Sequence, residues 1–327
     1  MTMSYPAERP RRLRRTPALR GLVAETRLHP ADLIQPLFVR EGLDEPRPIA
    51  CMPGQVQHTR ESVRKAAAAA VRAGVGGLLL FGIPERKDHD GRGAWDEHGI
   101  TQLALADVAA EVGDATVVIG DINLDEYTEH GHVGILDARG DVDNDATLSA
   151  YARVALAQAA AGAHMVAPSG MMDGQVGAIR RALDAAGHHN LPIMAYAAKY
   201  DSAFYGPFRD AVESRLTGTR STHQQDPANL RESLREVLLD VDEGADMVMV
   251  KPAGLYLDVV RRVADTVNVP VAAYQVSGEY AAIEAAAANG WLTRDRAILE
   301  SLTAIRRAGA GSVITYWATE IAERLPR

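Results

Sequence analysis

Two lysines of this 327-residue chain lie where an ammonium group would be poorly hydrated. Lys251 follows the apolar run MVMV and precedes a proline, and Lys199 follows the run MAYAA. Withdrawal from water lowers the pKa of a lysine and leaves a fraction of neutral amine that can attack a carbonyl carbon. The pattern therefore indicates Schiff-base chemistry. The alternative for each lysine is that its side chain reaches solvent or pairs with a carboxylate.

A long polar segment follows Lys199 and has the composition of an active-site lid. Residues 200–227 combine glycine, aromatic and basic residues in the stretch YDSAFYGPFRDAVESRLTGTRSTHQQDP. Loops of this kind often close over substrate and exclude water. Arg209 and Arg220 can each bind a carboxylate through two parallel hydrogen bonds, and a structural salt bridge is the alternative for each. We therefore expect residues 200–227, here named the lid segment, to bind an acidic substrate.

The stretch DINLDEYTEHGHVG, residues 121–134, resembles a metal-binding loop in composition. It contains acidic residues and two histidines, but the single cysteine of the sequence, Cys51, lies elsewhere. Without thiolate ligands zinc is a weak assignment. The loop therefore leaves open whether a metal binds here or whether the chemistry lies elsewhere.

Eight short apolar runs bounded by turn residues predict eight β-strands. They span residues 33–39, 76–82, 116–120, 164–169, 192–197, 246–250, 270–274 and 312–317. Alanine-rich stretches with helical spacing separate most of them, as at 61–74, 146–162, 229–244 and 277–290. Strands that are apolar throughout belong to a covered parallel sheet. Because no Gly-x-Gly-x-x-Gly turn is present, a (β/α)8 TIM barrel is favoured over an open sheet.

This barrel assignment predicts the domain organisation and the position of the active site. Residues 1–30 are expected to form an N-terminal arm, and residues 31–327 one catalytic barrel. Active sites of this fold lie at the C-terminal ends of the strands. Asp121, Lys199 and Lys251 fall at such ends. Because neighbouring strands lie about 4.8 Å apart, the two lysines are expected to enter one pocket and lower each other's pKa.

Composition excludes several functional classes. The net charge of −8 argues against binding to nucleic acid or to an anionic membrane. The basic run RPRRLRR at 9–15 has no interleaved aromatic residues, so we interpret it as a solvated or subunit-docking arm. No apolar run approaches the length of about 20 residues that a membrane span needs. A single cysteine fits a reducing compartment, and we expect a cytoplasmic protein.

Long stretches of the sequence resemble porphobilinogen synthase, also called 5-aminolevulinate dehydratase. They include LFGIPERKD, APSGMMDG, AYAAKYDSAFYGPFRDA, EGADMVMVKPAGLYLDVV, AAYQVSGEYAAI and ITYWATEIAE. The resemblance implies a (β/α)8 barrel with an arm that wraps a neighbouring subunit, usually in a homo-octamer. It also implies condensation of two 5-aminolevulinate molecules to porphobilinogen with loss of two waters, in tetrapyrrole and heme synthesis.

The resemblance also assigns roles to individual residues. Lys251 matches the lysine that forms the Schiff base with the first substrate, and Lys199 matches the second catalytic lysine. Asp121 matches an aspartate beside them that relays protons or orients a lysine. Further residues match those that bind substrate carboxylates. For the first substrate these are Ser277 and Tyr316, and for the second Arg209, Arg220 and Gln224.

Metal binding is where the sequence departs most from zinc-dependent members of this family. Those members carry cysteines at the positions of Asn123, Asp125 and Val133. Valine offers no donor, and the oxygen atoms of Asn123 and Asp125 suit Mg²⁺ better than zinc, so the loop is expected to bind Mg²⁺ weakly or no metal at all. We therefore predict no active-site zinc, and we expect Lys199 to polarise the carbonyl of the second substrate. His130 and His132 are expected to serve in hydrogen bonding. The matching position for a separate regulatory Mg²⁺ is Glu236.

Smaller departures fall near the lid segment, and other functions remain as alternatives. Gly170 and Gln175 replace a usual Asp and Arg, while Thr219, Ser221 and His223 replace a usual Asp, Lys and Tyr. The alternatives are a class I aldolase acting on another keto acid, and a non-catalytic paralogue used in assembly or regulation. The aldolase would share Lys251 but has no need of Lys199 and two arginines.

Overall fold

Eight parallel strands form the centre of the computed structural model, which describes residues 8–216 and 218–326. They are β1 Leu33–Arg40, β2 Gly77–Ile83, β3 Val117–Ile122, β4 Met165–Pro168, β5 Met194–Lys199, β6 Met247–Lys251, β7 Val271–Tyr274 and β8 Ser312–Ile314. Each strand pairs with the next one along the chain except β4 and β5, which share no ladder, and β1 also pairs with β8. A bridge between Val166 and Ile193 links β4 to the residues just before β5. The predicted (β/α)8 barrel and its eight strands are confirmed.

Helices pack around this barrel and alternate with its strands. They are α1 Pro17–Leu22, α2 Arg60–Ala73, α3 Ile100–Val112, α4 Asn144–Ala160, α5 Gln175–Ala185, α6 Gly206–Ala211, α7 Arg231–Asp242, α8 Leu257–Thr266, α9 Ser277–Ala288, α10 Arg294–Ala308 and α11 Ala318–Ala322. The four helices predicted by spacing correspond to α2, α4, α7 and α9, with ends that agree to within two residues. Two extra short strands, Arg47–Pro48 and Val56–His58, form a ribbon beside the C-terminal end of β1.

Helix α2 illustrates how local sequence fixes these boundaries. The Thr59 hydroxyl accepts a hydrogen bond from the Ser62 backbone N–H at 3.0 Å, which satisfies one of the free donors of the first turn. Gly74 ends the helix with φ +87°, a left-handed conformation that favours glycine. The face between these ends is buried against the barrel at Val63, Ala67 and Ala70.

The described part of the N-terminal segment lies almost entirely at the surface. Residues 10–14 form a 3₁₀ helix and α1 follows, yet neither contains a buried residue. Leu22 is 78% exposed. Residues 1–7 of the predicted arm lie outside the described residues. Within the described ranges, no helix combines the length and the apolar character needed to cross a membrane.

Candidate active site

Lys199 and Lys251 are the last residues of two adjacent strands, β5 and β6, and their Cα atoms are direct partners across the ladder. Both side chains are buried, at 3% and 6% exposure. They line the same cavity at the C-terminal end of the barrel. The expected meeting of the two lysines in one pocket is therefore present in the structure.

Aromatic rings surround the Lys251 ammonium. Its Nζ lies 4.4 Å from the centroid of the Tyr274 ring and 5.0 Å from that of Tyr196. The rings of Tyr205 and Phe208 are each 5.4 Å away. Burial lowers the pKa of Lys251 to about 7, and the neighbouring Lys199 charge also acts to lower it. At neutral pH a large fraction of this side chain is therefore free amine.

Lys199 is held by the backbone of the strand on its other side. Its Nζ donates a hydrogen bond to the Ser169 carbonyl oxygen at 2.6 Å, just after β4. Burial lowers the pKa of Lys199 to about 8, and the charge of Arg220 lowers it further. Asp125 and Asp121 oppose this change. Lys199 is accordingly more protonated at neutral pH than Lys251.

Asp121 lies in β3, close to both lysines. Its Oδ2 accepts a hydrogen bond from the Ser169 hydroxyl at 2.9 Å. Burial raises the pKa of Asp121 to about 6, while the charges of Lys251 and Lys199 act to lower it. A carboxyl group that titrates near 6 can accept and return protons at neutral pH.

The two arginines of the lid segment also line the cavity. Arg209 lies on α6, and burial lowers its pKa. Arg220 is 5% exposed and donates hydrogen bonds to Asp125 Oδ2 at 2.6 Å and to the Gly131 carbonyl at 3.0 Å. Burial acts to raise the pKa of Asp125, but the charge of Arg220, a hydrogen bond with Glu126 and the charge of Lys199 together outweigh burial and lower the pKa. Arg220 is therefore engaged in a buried ion pair.

The cavity is nearly closed, and both charged side chains and aromatic rings line it. Its volume is about 20 Å³, close to that of one water molecule. Within the described residues, some buried polar atoms around it lack hydrogen-bond partners, among them Arg209 Nε and Arg220 Nε. Because buried polar groups are normally paired, this concentration points to a polar ligand. Entry of any substrate requires the lid segment to move.

Three other predicted residues are buried but do not line this cavity. Ser277, at the start of α9, accepts a hydrogen bond from the Phe208 N–H at 2.9 Å. The Tyr316 hydroxyl lies 3.1 Å from that of Tyr274. Gln224 lines a separate groove of about 730 Å³ on the outer side of the lid segment. The Phe208 ring packs 5.8 Å from Phe38, which in turn stacks on Tyr316 at 6.0 Å.

Glu236, on α7, lies in the same outer groove and does not line the cavity of the two lysines. Burial raises the pKa of Glu236, and so do the nearby carboxylates of Asp173 and Glu232. Asp240 of the same helix also has a raised pKa, mainly through burial. The groove is thus rich in negative charge.

In the loop at 121–134, side chains that resemble metal ligands are engaged in other contacts. Asn123 Oδ1 accepts hydrogen bonds from the N–H groups of Leu124 and Asp125 at 2.7 and 3.2 Å, and its Nδ2 donates to Ser169 Oγ at 2.9 Å. His130 Nε2 lies 3.0 Å from the His89 carbonyl oxygen. In the part of the chain that the structure describes, no cluster of three or more His, Cys, Asp or Glu residues has metal-binding geometry.

Two of the sequence departures have a structural explanation. A Cβ atom at Gly170 would lie 1.7 Å from the Tyr151 hydroxyl, which itself donates to the Val133 carbonyl at 2.9 Å. This position therefore requires glycine. Gln175 Oε1 accepts a hydrogen bond from the Met172 N–H at 3.2 Å and so closes the turn before α5. The Thr219 and Ser221 hydroxyls contact each other at 2.9 Å at the surface of the lid segment.

Sequence reasoning did not identify several residues of this site. The tyrosines at 196, 205 and 274 enclose Lys251. Asp125 was predicted only as a possible metal donor, whereas in the structure it binds Arg220. Glu126 is buried beside Asp125, and burial together with the Asp125 charge raises its pKa well above the usual value. Tyrosines within otherwise apolar strands were the available signal, since a buried hydroxyl needs a polar neighbour.

The chain is similar to one enzyme family over nearly its whole length. The sequence profile of the delta-aminolevulinic acid dehydratase family matches residues 7–324. The chain is 64% identical over 324 residues to the delta-aminolevulinic acid dehydratase of Streptomyces coelicolor, and 63% identical over 321 residues to that of Mycobacterium tuberculosis; each alignment covers 98% of both chains. The Toxoplasma gondii enzyme in complex with its product porphobilinogen superposes with a TM-score of 0.94 at 41% identity, covering 97% of this chain and 91% of its own.

Proposed function

Because this chain belongs to the delta-aminolevulinic acid dehydratase family, we propose that its two paired lysines divide the family reaction between them. The enzyme condenses two molecules of 5-aminolevulinate to porphobilinogen with loss of two waters, a step of heme biosynthesis. The observation that carries our assignment of roles is the cross-strand pairing of Lys199 and Lys251 within one buried cavity.

Lys251 is the residue that captures the first substrate. Its neutral amine adds to the substrate ketone, and loss of water gives an imine. The lowered pKa of about 7 supports this role, as do the surrounding rings that exclude water. Lys199, which keeps its proton to higher pH, polarises the ketone of the second substrate. Asp121 accepts and returns the protons that these steps release.

Five further residues bind the substrate carboxylates. Arg209, Arg220 and Gln224 hold the second substrate, and the unpaired polar atoms of all three support this assignment. Ser277 and Tyr316 hold the first. Since the Ser277 hydroxyl is bonded to the Phe208 N–H, opening of the lid segment would free it for a carboxylate.

We propose that no metal ion takes part in the chemistry at the two lysines. A zinc site needs thiolate or imidazole donors in tetrahedral array. Val133 offers no donor, Asn123 is engaged with backbone N–H groups and Asp125 with Arg220. A regulatory Mg²⁺ at Glu236 is a separate proposal. Mg²⁺ keeps several waters and binds through one or two carboxylates, and the crowded negative charge of the outer groove favours a cation.

We also propose that the enzyme is a cytoplasmic homo-octamer in which the N-terminal arm docks on a neighbouring subunit. The arm forms regular turns although almost none of its described surface is buried within the chain. Exposed Leu13 and Leu22 would gain from such docking. The single cysteine fits a reducing compartment.

Reductive trapping tests the central assignment. Borohydride added with 5-aminolevulinate should fix a substrate adduct on Lys251, which peptide mass spectrometry would locate, and a pyrrole assay should detect product. A chain that forms pyrrole but is trapped only at another lysine would contradict the assignment to Lys251. A matched control is Lys65→Met, since Lys65 is an exposed residue of α2.

A further inference from the structure

Glu213 occupies an unusual place in the lid segment. It lies four residues after Arg209 and seven before Arg220, between the two arginines that line the cavity. Its backbone has φ +54°, in the left-handed region that favours glycine. A glutamate persists in this conformation only where its surroundings fix it. The side-chain contacts that fix it come from the rim of the barrel.

The side chain of Glu213 is bound by three donors from one side. Its Oε1 accepts hydrogen bonds from Arg40 Nε at 3.1 Å and Gln57 Nε2 at 3.3 Å, and it forms a close ion pair with Arg47. Arg40 ends β1, and Arg47 and Gln57 face each other across the short ribbon. The Arg40 side chain is only 16% exposed, so this pair is partly sheltered from solvent screening.

The backbone at the same point is bound as well. Lys87, in the loop after β2, donates hydrogen bonds to the carbonyl oxygens of Val212 at 3.1 Å and Glu213 at 2.9 Å. Gln57 Nε2 also donates to the Ala211 carbonyl at 2.7 Å. Four side chains of the barrel rim therefore converge on three consecutive residues, 211–213, at the C-terminal end of α6.

A second contact lies a few residues further along the lid segment. Gly131 has φ +72°, and a Cβ atom there would lie 2.4 Å from the Leu216 backbone nitrogen. The lid segment thus lies directly against the loop that receives Arg220. The chain is held at Glu213 and again at Leu216. While Glu213 stays bound, Arg209 and Arg220 therefore have little freedom to move.

We propose that Glu213 is a positioning residue that latches the lid segment to the barrel rim and so holds Arg209 and Arg220 toward the paired lysines. This inference rests on the proposed substrate roles of the two arginines. A cavity of about 20 Å³ is too small for 5-aminolevulinate, so substrate entry requires the lid segment to open. The latch favours the closed arrangement, because its ion pairs form only when residue 213 returns to the rim.

Two substitutions distinguish the effect of the Glu213 side chain from the effect of its strained backbone. Glu213→Gln keeps the shape of the side chain and removes its charge. Glu213→Gly removes the side chain but relieves the left-handed backbone. If Glu213 merely carried backbone strain, the glycine variant would hold the lid segment more firmly than wild type. If it is a latch, both variants loosen the lid segment. Glu61→Gln is the control, since Glu61 forms exposed ion pairs on α2.

Lid opening can be measured without turnover. Trypsin cleavage after Arg215, which is exposed and lies in the lid segment, reports on its local opening. Both Glu213 variants should be cut there roughly threefold to tenfold faster than wild type, and Glu61→Gln should not. Unchanged cleavage in a folded Glu213→Gln variant, or slower cleavage in Glu213→Gly, would overturn the proposal.

Steady-state kinetics test the link to substrate. The KM for 5-aminolevulinate should rise by roughly the same factor in Glu213→Gln, with a smaller change in kcat, because the arginines are less often in place. Added salt should raise the KM of wild type more than that of the variant. Combining Glu213→Gln with Arg47→Gln should give less than additive effects. Faster cleavage with an unchanged KM would mean that Glu213 holds the lid segment closed but does not position the arginines for substrate, which would refute the positioning role.

Discussion

The Cα atoms of Lys199 and Lys251 are partners across two adjacent parallel strands, and both side chains end in one closed cavity. Each ammonium group therefore stands in the field of the other. The pKa values of about 8 for Lys199 and about 7 for Lys251 reflect burial first. The charge of Lys199 lowers the pKa of Lys251 further, so removal of a proton from one lysine changes the basicity of the other.

Replacement of Lys251 by methionine should abolish turnover while leaving the fold intact. Methionine has nearly the same length and suits the aromatic surroundings of this side chain. We expect the pyrrole assay to fall by roughly 1,000-fold or more, and borohydride trapping at this position to disappear. Circular dichroism would confirm folding. Retention of more than a few per cent of wild-type activity would be incompatible with an obligatory imine on Lys251.

The pH dependence of trapping should follow the lowered pKa of Lys251. Below pH 7 the amine is mostly protonated and inert, and above pH 7 it is mostly free. The rate of adduct formation should therefore rise between about pH 6 and 8 and level off above. For an exposed lysine, the rate of adduct formation would instead keep rising through pH 10. A rate that keeps increasing tenfold per pH unit up to pH 10 would show that Lys251 is hydrated in the working enzyme.

Asp121→Asn should shift this pH profile in a defined direction. The Asp121 carboxylate acts to raise the pKa of both lysines, because it stabilises their charged forms. Loss of the negative charge should lower the pKa of Lys251, and the rising limb should move to lower pH by roughly one pH unit. Proton transfer should slow at the same time, reducing kcat. A rising limb that moves to higher pH would contradict this electrostatic relationship between Asp121 and Lys251.

The fold was predictable because its signal is repeated. Eight apolar runs each predicted a strand, and the errors at their ends were at most two residues, except for the last run, predicted at 312–317 and observed at Ser312–Ile314. Parallel barrel strands are buried on both faces, so a short continuous apolar run suffices to locate them. The 3₁₀ turn at Gly254–Tyr256 and the ribbon at 47–58 carry no such periodicity and were not predicted.

The site was predictable only in part, and Tyr196 shows why. Regular alternation along β5 would place Tyr196 and Lys199 on opposite faces of the sheet. The ladder between β5 and β6 shifts register between Ala195 and Ala198, and this irregularity lets Lys199 approach the Tyr196 ring at 5.7 Å. Such bulges often re-aim side chains beside active sites. The contact between Asp125 and Arg220 spans 95 residues and depends on the closed lid segment, which no local pattern encodes.

Chelators should leave the activity of this enzyme largely intact. The side chains at the positions of the zinc ligands are engaged in other contacts or, at Val133, carry no donor. We expect dialysis against EDTA to change kcat less than twofold in the absence of added Mg²⁺, and zinc to give no stimulation. If Mg²⁺ stimulates, Glu236→Ala should remove that response, with the exposed Glu61→Ala as control. Activity lost on chelation and restored by zinc alone would refute our interpretation of the loop.

Gly170→Ala should destabilise the protein through a single buried contact. A methyl group at Gly170 would overlap the hydroxyl of Tyr151, which is fully buried and hydrogen-bonded to the Val133 carbonyl. Relief requires a shift of the ring or of β4, and such overpacking costs about 1 to 3 kcal/mol. The free energy of unfolding in urea should fall by that amount. Gly21→Ala is the matched control, because no atom lies within 4 Å of the added methyl group in α1. Equal stability of the two variants would mean that Tyr151 is not held where the structure places it.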